Sequence, residues 1–149
     1  MRVITGTARG RKLSAVPGED TRPTSANVKE AVFNIIQFDI QGRRVLDLFA
    51  GTGQMGIETL SRGAAHAVFV DSRAEAAKTV RENVKLTGFQ DQSTVLPADA
   101  LGVLLPVATN PLKLKSMNDW AKGHASPRII PFGAAHPLAP DALEHLHYA

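Results

Sequence analysis

The chain has 149 residues, of which 44% are apolar and 21% charged, with a formal net charge of +3; that is enough for one domain with its own core. It contains no cysteine, which excludes disulfides and thiolate metal sites. No apolar run is long enough for a transmembrane helix, and the start, Met1-Arg-Val-Ile-Thr-Gly, has no apolar signal core, so a cytoplasmic protein with no membrane partner is expected.

The charge is unevenly placed. Residues 1–30 hold six basic side chains (Arg2, Arg9, Arg11, Lys12, Arg22 and Lys29) against three acids, while residues 31–149 hold eleven of each. A basic end on a neutral body suits a polyanion such as nucleic acid, or equally a solvated turn. Residues 1–6 and 11–16 predict two short strands around the Gly-rich turn Gly6-Thr-Ala-Arg-Gly-Arg-Lys12, giving a basic hairpin over residues 1–20. Pro17-Gly18 breaks the chain. Arg22-Pro23-Thr24-Ser25 predicts a helix start with a hydroxyl cap. Val28, Ala31, Val32 and Ile35 follow at the spacing of one apolar helix face, and Gly42 ends the element.

Val45–Ala50 predicts a buried strand, Gly51–Gly53 a tight turn, and Met55, Ile57 and Leu60 a short helix that stops before Gly63. His66–Asp71 predicts a second strand. Ser72 is placed to cap the next helix, whose apolar face is Ala76, Ala77, Val80 and Val84 and whose C-terminal cap is Gly88. Ser93–Ala98 predicts a third strand ending at Asp99. Strand, helix, strand, helix, strand over residues 21–103 predicts an α/β domain, half of a doubly wound parallel sheet. Residues 104–149 change character: six of the nine prolines and four of the five histidines fall there. Segments such as Pro127-Arg-Ile-Ile-Pro131 predict an irregular tail rather than long interior strands.

The chemistry concentrates in Asp47-Leu-Phe-Ala-Gly51-Thr-Gly53. Glycines at a strand-to-helix turn let backbone approach a ligand and supply positive φ, and the helix behind them offers free amides. Gly51-x-Gly53-x-x-Gly56 also matches the dinucleotide fingerprint, though weakly. Asp47 separates the readings. A carboxylate four residues before the first glycine suits a cationic ligand such as the ammonium or sulfonium of a methionine derivative, whereas it repels a pyrophosphate. The plainer alternative is a buried acid accepting backbone hydrogen bonds. Asp71, 24 residues on, is placed to accept ribose hydroxyls or to interact with a helix dipole. Asp99 is placed to accept from an adenine amino group, or is a loop acid. Three acids at successive strand ends would line one crevice at the carboxyl edge of the sheet.

These residues resemble a known family, the bacterial small-subunit (16S) ribosomal RNA guanine-N2 methyltransferases, or RsmD-like family. The resemblance spans about residues 1–103. It rests on Met1-Arg-Val-Ile-Thr-Gly-Thr-Ala-Arg-Gly-Arg-Lys-Leu13, Thr21-Arg-Pro-Thr24, Val28-Lys-Glu-Ala-Val-Phe-Asn34 and Val45–Gly53, and continues through Leu60-Ser-Arg-Gly-Ala64, Val70-Asp71 and Arg81-Glu-Asn83. It implies a Rossmann-like S-adenosylmethionine-dependent methyltransferase fold with an N-terminal β-hairpin, incomplete at its C-terminus. It implies cofactor contacts from Asp47, Phe49, Gly51, Gly53, Asp71, Asp99 and Ala100. It also implies RNA contacts from Arg2, Arg9, Arg11, Lys12 and Arg22, with ribosomal RNA or the assembling small subunit as partner. Arg22, Thr24 and Asn34 match family positions near the active-site side.

One part of the family's pattern is missing. The catalytic Asp/Asn-Pro-Pro-Tyr/Phe motif, which holds and stacks on the target base, has only a weak trace in Asn110-Pro111-Leu112-Lys113. The catalytic residues are therefore not identified. Residues 104–149 are expected to be unrelated to the family's second half, through truncation, a frameshift or replacement, leaving strand edges and apolar helix faces exposed and stability marginal. Two other functions stay open: a non-catalytic module binding S-adenosylmethionine or RNA, and a nicotinamide oxidoreductase. Asp47 and the lack of a hydride-transfer site argue against the second. His145-x-His147 with His136 or Asp141 is a chance-level metal pattern, so no metal is expected. Trp120 and Tyr148 could stack on a base but fit burial or a loose loop better.

Overall fold

The structure is a computed structural model that describes residues 1–18, 24–103 and 131–132. In chain order its elements are α1 (Ala26–Ile40), β1 (Arg44–Leu48), α2 (Gln54–Ser61), β2 (His66–Asp71), α3 (Ala74–Thr87), a 3-10 turn (Gln90–Gln92), β3 (Ser93–Pro97) and β4 (Pro131–Phe132). The strands form one parallel sheet in the order β3-β2-β1-β4. Leu48 pairs with Val70 and Asp71 with Pro97, so the three longer strands end together at one edge. No described helix is long and apolar enough to cross a membrane.

Alternation along the strands divides the core in two. Val45, Ala67 and Phe69 face a large cluster with Phe33 and Ile40 of α1, Ile57 and Leu60 of α2, and Val80 and Val84 of α3. Leu46, Leu48, Val68, Val70 and Leu96 face the other way, where the described residues packed on them are Ala98, Ala100 and Val103. Helices thus cover one side of the sheet well and the described chain covers the other thinly. The sequence places α3 correctly: Ala76, Ala77, Val80 and Val84 are all buried, and Gly88 closes the helix at φ 81°.

Three expectations need correction, and the tail adds one short strand. The face chosen for α1 is wrong: Val28 is 53% and Ile35 81% exposed, and Ala31 also faces solvent. The buried side runs Lys29, Phe33 and Ile40, with Val32 and Ile36 partly covered. Lys29 belongs to that side because its ammonium lies 3.3 Å from the fully buried Glu58, which also leaves it out of any surface patch. The cap of α1 is Ser25, whose Oγ accepts from the Val28 amide at 3.3 Å. Ser72 caps nothing; the position before α3 is Arg73, whose amide donates to Asp71 Oδ1 at 3.0 Å. The tail contributes β4, with Pro131 at the first position of a two-residue strand, where a missing N–H is tolerated.

The third correction concerns the hairpin, which forms a single antiparallel bridge, Arg2 with Lys12, instead of two strands. The reason is competition for its amides. Ile4 and Thr5 donate to the two Glu58 carboxylate oxygens at 2.8 and 2.9 Å, and Ala8 donates to Ser61 Oγ at 3.0 Å. Lys29 Nζ donates to the Arg2 carbonyl at 2.7 Å, and Arg62 Nε lies 3.0 Å from Glu58. The turn is therefore moored to α1 and α2, with Val3, Ala8 and Leu13 buried in the main core. At Gly6 a Cβ would lie 1.7 Å from the Ser61 carbonyl oxygen, so this close approach requires glycine.

Candidate functional site

β1 stops at Leu48, earlier than the strand expected through Ala50. Phe49 then turns into the left-handed region at φ 58° with its ring 54% exposed. A bulky residue held there is strained by about 1–3 kcal/mol, a feature that collects at ligand sites. The Ala50 amide donates to the Val70 carbonyl at 2.9 Å, which anchors the far side of the kink. Gly51 (φ 55°) and Gly53 (φ 76°) complete the turn, and Gly53 occupies the cap position of α2, where it has no side chain to cap the helix.

Asp47 lies under this turn, buried, with Oδ2 accepting from the Gly56 amide in the first turn of α2 at 2.9 Å. Burial pushes its carboxyl up to about 8; the Gly56 hydrogen bond opposes this, and the charge of Asp71 adds to it. Gly56 lets the helix approach: a Cβ there would lie 2.3 Å from Phe69 Cε1 and 3.1 Å from Asp47 Oδ2. Asp71 is also buried, at the tip of β2. Its Oδ2 accepts from the Gly51 amide at 2.8 Å, and Arg73 closes over it with Nε 3.2 Å from Oδ1. Asp99 is exposed and caps the next helical turn, its Oδ2 accepting from the Gly102 amide at 2.8 Å. Ala100 beside it is buried.

The structure thus brings Asp47, Phe49, Gly51, Gly53 and Asp71 to one strand-edge turn, with Asp99 and Ala100 at the end of the neighbouring strand. Each acid also has the plainer work that the sequence offered as an alternative: Asp47 and Asp71 bond backbone amides, and Asp99 caps. A carboxylate has about four acceptor sites, so Asp47 and Asp99 keep capacity for a ligand, whereas the Gly51 amide, the Arg73 amide and the Arg73 guanidinium fill those of Asp71, and a ligand there takes the place of the Arg73 side chain. Two acids close enough to repel at a buried turn fit a cationic group. The residues present therefore suit an aminoacyl nucleoside such as S-adenosylmethionine.

Arg2, Arg9, Arg11 and Lys12 are exposed on the N-terminal turn. Thr24 is half-buried just before the Ser25 cap, and Asn34 is exposed on α1. Arg22, Asn110, Pro111, Trp120, His136, Asp141, His145, His147 and Tyr148 lie outside the described residues. Two residues that matter around the site were given no role from sequence: Glu58, and Asn83, which entered only as part of the Arg81-Glu-Asn83 resemblance. Both are polar residues at core spacing, Glu58 between Ile57 and Leu60 and Asn83 at i+3 from Val80, and that spacing was the available signal.

The family described as "Conserved hypothetical protein 95" matches residues 1–114. The chain is 49% identical over 100 residues to "Putative rRNA methyltransferase YlbH" of Bacillus subtilis, covering 67% of this chain and 54% of that protein. It is 36% identical over 105 residues to "Ribosomal RNA small subunit methyltransferase D" of Haemophilus influenzae, covering 70% and 54%. The solved structure "Putative methyltransferase yhhF from Escherichia coli" matches with a TM-score of 0.62 at 34% identity, over 70% of this chain and 55% of that one. The chain spans about half the length of the curated relatives it matches. Its fold is the Rossmann-like methyltransferase fold that its motifs led us to expect, and the chain belongs to the Conserved hypothetical protein 95 family of RsmD-like proteins.

Proposed function

We propose that this chain binds S-adenosylmethionine at the glycine turn and serves the transfer of its methyl group to the exocyclic N2 of a guanine in small-subunit ribosomal RNA. The observation that carries the reading is the buried Asp47 carboxylate beneath a glycine turn that Asp71 bonds from the next strand. Asp47 takes the cationic aminoacyl end, Asp71 the ribose hydroxyls, and Asp99 with Ala100 the adenine. Phe49, Gly51 and Gly53 form the wall between them. When bound, the cofactor supplies a methyl group on a sulfonium, an electrophile ready for an amine. The exposed Arg2, Arg9, Arg11 and Lys12, with Arg22 after them in sequence, hold phosphates, which positions RNA without reading its sequence.

The alternative is a module that holds cofactor or RNA and transfers nothing. Calorimetry with S-adenosylmethionine, then a transfer assay with the methyl-labelled cofactor and ribosomal RNA, tests both. Label in RNA that is lost in Asp47→Ala supports transfer. Saturable cofactor binding without label supports the module. Saturable NAD binding with no response to S-adenosylmethionine would sink both.

A further inference from the structure

Asn83 sits in the middle of α3, fully buried, and joins two segments far from it in sequence. Its Oδ1 accepts from the Ser14 amide at 2.7 Å. Its Nδ2 donates to the Ser14 carbonyl at 3.0 Å and to the Thr52 carbonyl at 2.9 Å. Thr52 is the residue between Gly51 and Gly53. Its carbonyl shares a peptide plane with the Gly53 amide, which donates to the Ala50 carbonyl at 2.7 Å. One side chain therefore fixes the orientation of the peptide at the centre of the turn. Glycines need such outside support because their own backbone preferences are weak. A second tie runs the same way, from Thr52 Oγ1 to Met1 Sδ at 3.2 Å. On the opposite side Asp71 holds the Gly51 amide. The turn is thus pinned by the tip of β2, by α3 and by the N-terminal segment.

We propose that Asn83 is a positioning residue that makes the N-terminal segment a brace for the cofactor turn. The bond to Thr52 sets the turn, and the paired bonds to Ser14 set the Asn83 amide itself, holding its Nδ2 toward the turn. The segment that carries the basic surface is then also part of the framework that shapes the cofactor pocket. The role in cofactor affinity rests on the S-adenosylmethionine reading; the bracing itself does not.

The test compares the full chain with Asn83→Ala and with Ser14→Pro, which keeps the Asn83 side chain and removes one N–H donated to it. Two quantities are measured: S-adenosylmethionine Kd by calorimetry, and residue-resolved amide hydrogen exchange without ligand. In Asn83→Ala the Kd is expected to rise about tenfold, as for loss of a buried hydrogen bond, and in Ser14→Pro about threefold. In both, the Gly51 and Gly53 amides are expected to exchange at least about tenfold faster while the β1–β2 ladder keeps its protection, which a general loss of stability would not produce. Unchanged exchange at Gly51 and Gly53, or an equal rise across β2, overturns the brace. A Kd within about twofold of the parent in either folded variant overturns its role in affinity. If Asn83→Ala does not fold, Ser14→Pro decides on the same criteria. Absence of S-adenosylmethionine binding in the parent chain refutes the cofactor reading, and the exchange comparison still decides the brace.

Discussion

Asp47 makes cofactor binding dependent on pH, with a sign fixed by its surroundings. Its carboxyl is raised to about 8 by burial, so the ligand-free protein holds a proton there at neutral pH. Pairing with a cationic ligand requires the carboxylate. Binding must therefore release a proton, and apparent affinity should rise about tenfold per pH unit below 8. Between pH 5.5 and 7.0 this amounts to about thirtyfold. That window lies below the α-amino range of about 7.7–8.0, so the ligand's own amine stays charged throughout. The assay is calorimetry in buffers of different ionisation enthalpy, with close to one proton released at pH 6. In Asp47→Asn, which can still accept from the Gly56 amide, the proton release and the slope should vanish. The same group acts on stability. The folded state holds a proton that the unfolded chain has released, so the contribution is fully present below pH 3.8 and is lost as pH rises through 8. At about 1.4 kcal/mol per pH unit, the ligand-free chain should lose on the order of 6 kcal/mol relative to Asp47→Asn across that span. Equal affinity at pH 5.5 and 7.0 with no proton release would refute the reasoning.

Three further outcomes are expected. Glu58→Ala strands Lys29 in the core and removes acceptors from Ile4 and Thr5; it should cost about 3–5 kcal/mol, read as a lower urea midpoint. Gly56→Ala forces a methyl into the Phe69 ring and should cost about 1–3 kcal/mol, seen in the same titration. Replacing Arg9 and Arg11 with Ala should flatten the slope of log K against log salt for single-stranded RNA by about 1.4, at roughly 0.7 per phosphate contact. If those side chains make no such contacts, filter binding across a salt series will give parallel lines.

The strands, α3 and the glycine turn were legible because apolar periodicity and glycine spacing report them directly. β2 falls at the residues expected, and the acids meet at one sheet edge as their positions at strand ends required. The register of α1 was not legible, because Val28, Ala31, Val32 and Ile35 have helical spacing as good as that of Val32, Phe33, Ile36 and Ile40. What decides between the two faces is Lys29, which a hydropathy pattern puts outside and Glu58 draws inside. The hairpin was overdrawn for the same reason: nothing local says that the Ile4 and Thr5 amides bond a carboxylate 53 or 54 residues away. Asn83 and Glu58 each satisfy partners that adjoin only after folding, so their roles appear in the structure before they can be seen in the sequence.

The Glu58 mooring also bears on the order in which the chain can assemble. Residues 3–8 precede every element they pack on. The amides of Ile4, Thr5, Thr7 and Ala8 cannot find final acceptors until α2 exists, and α2 cannot bury Glu58 until Lys29 and Arg62 flank it. Closing that long loop costs entropy before any contact repays it. The N-terminal segment is therefore expected to dock late, as a latch on a helix-and-strand core formed without it. Until it closes, the basic surface and the underside of the cofactor turn remain separate pieces of chain.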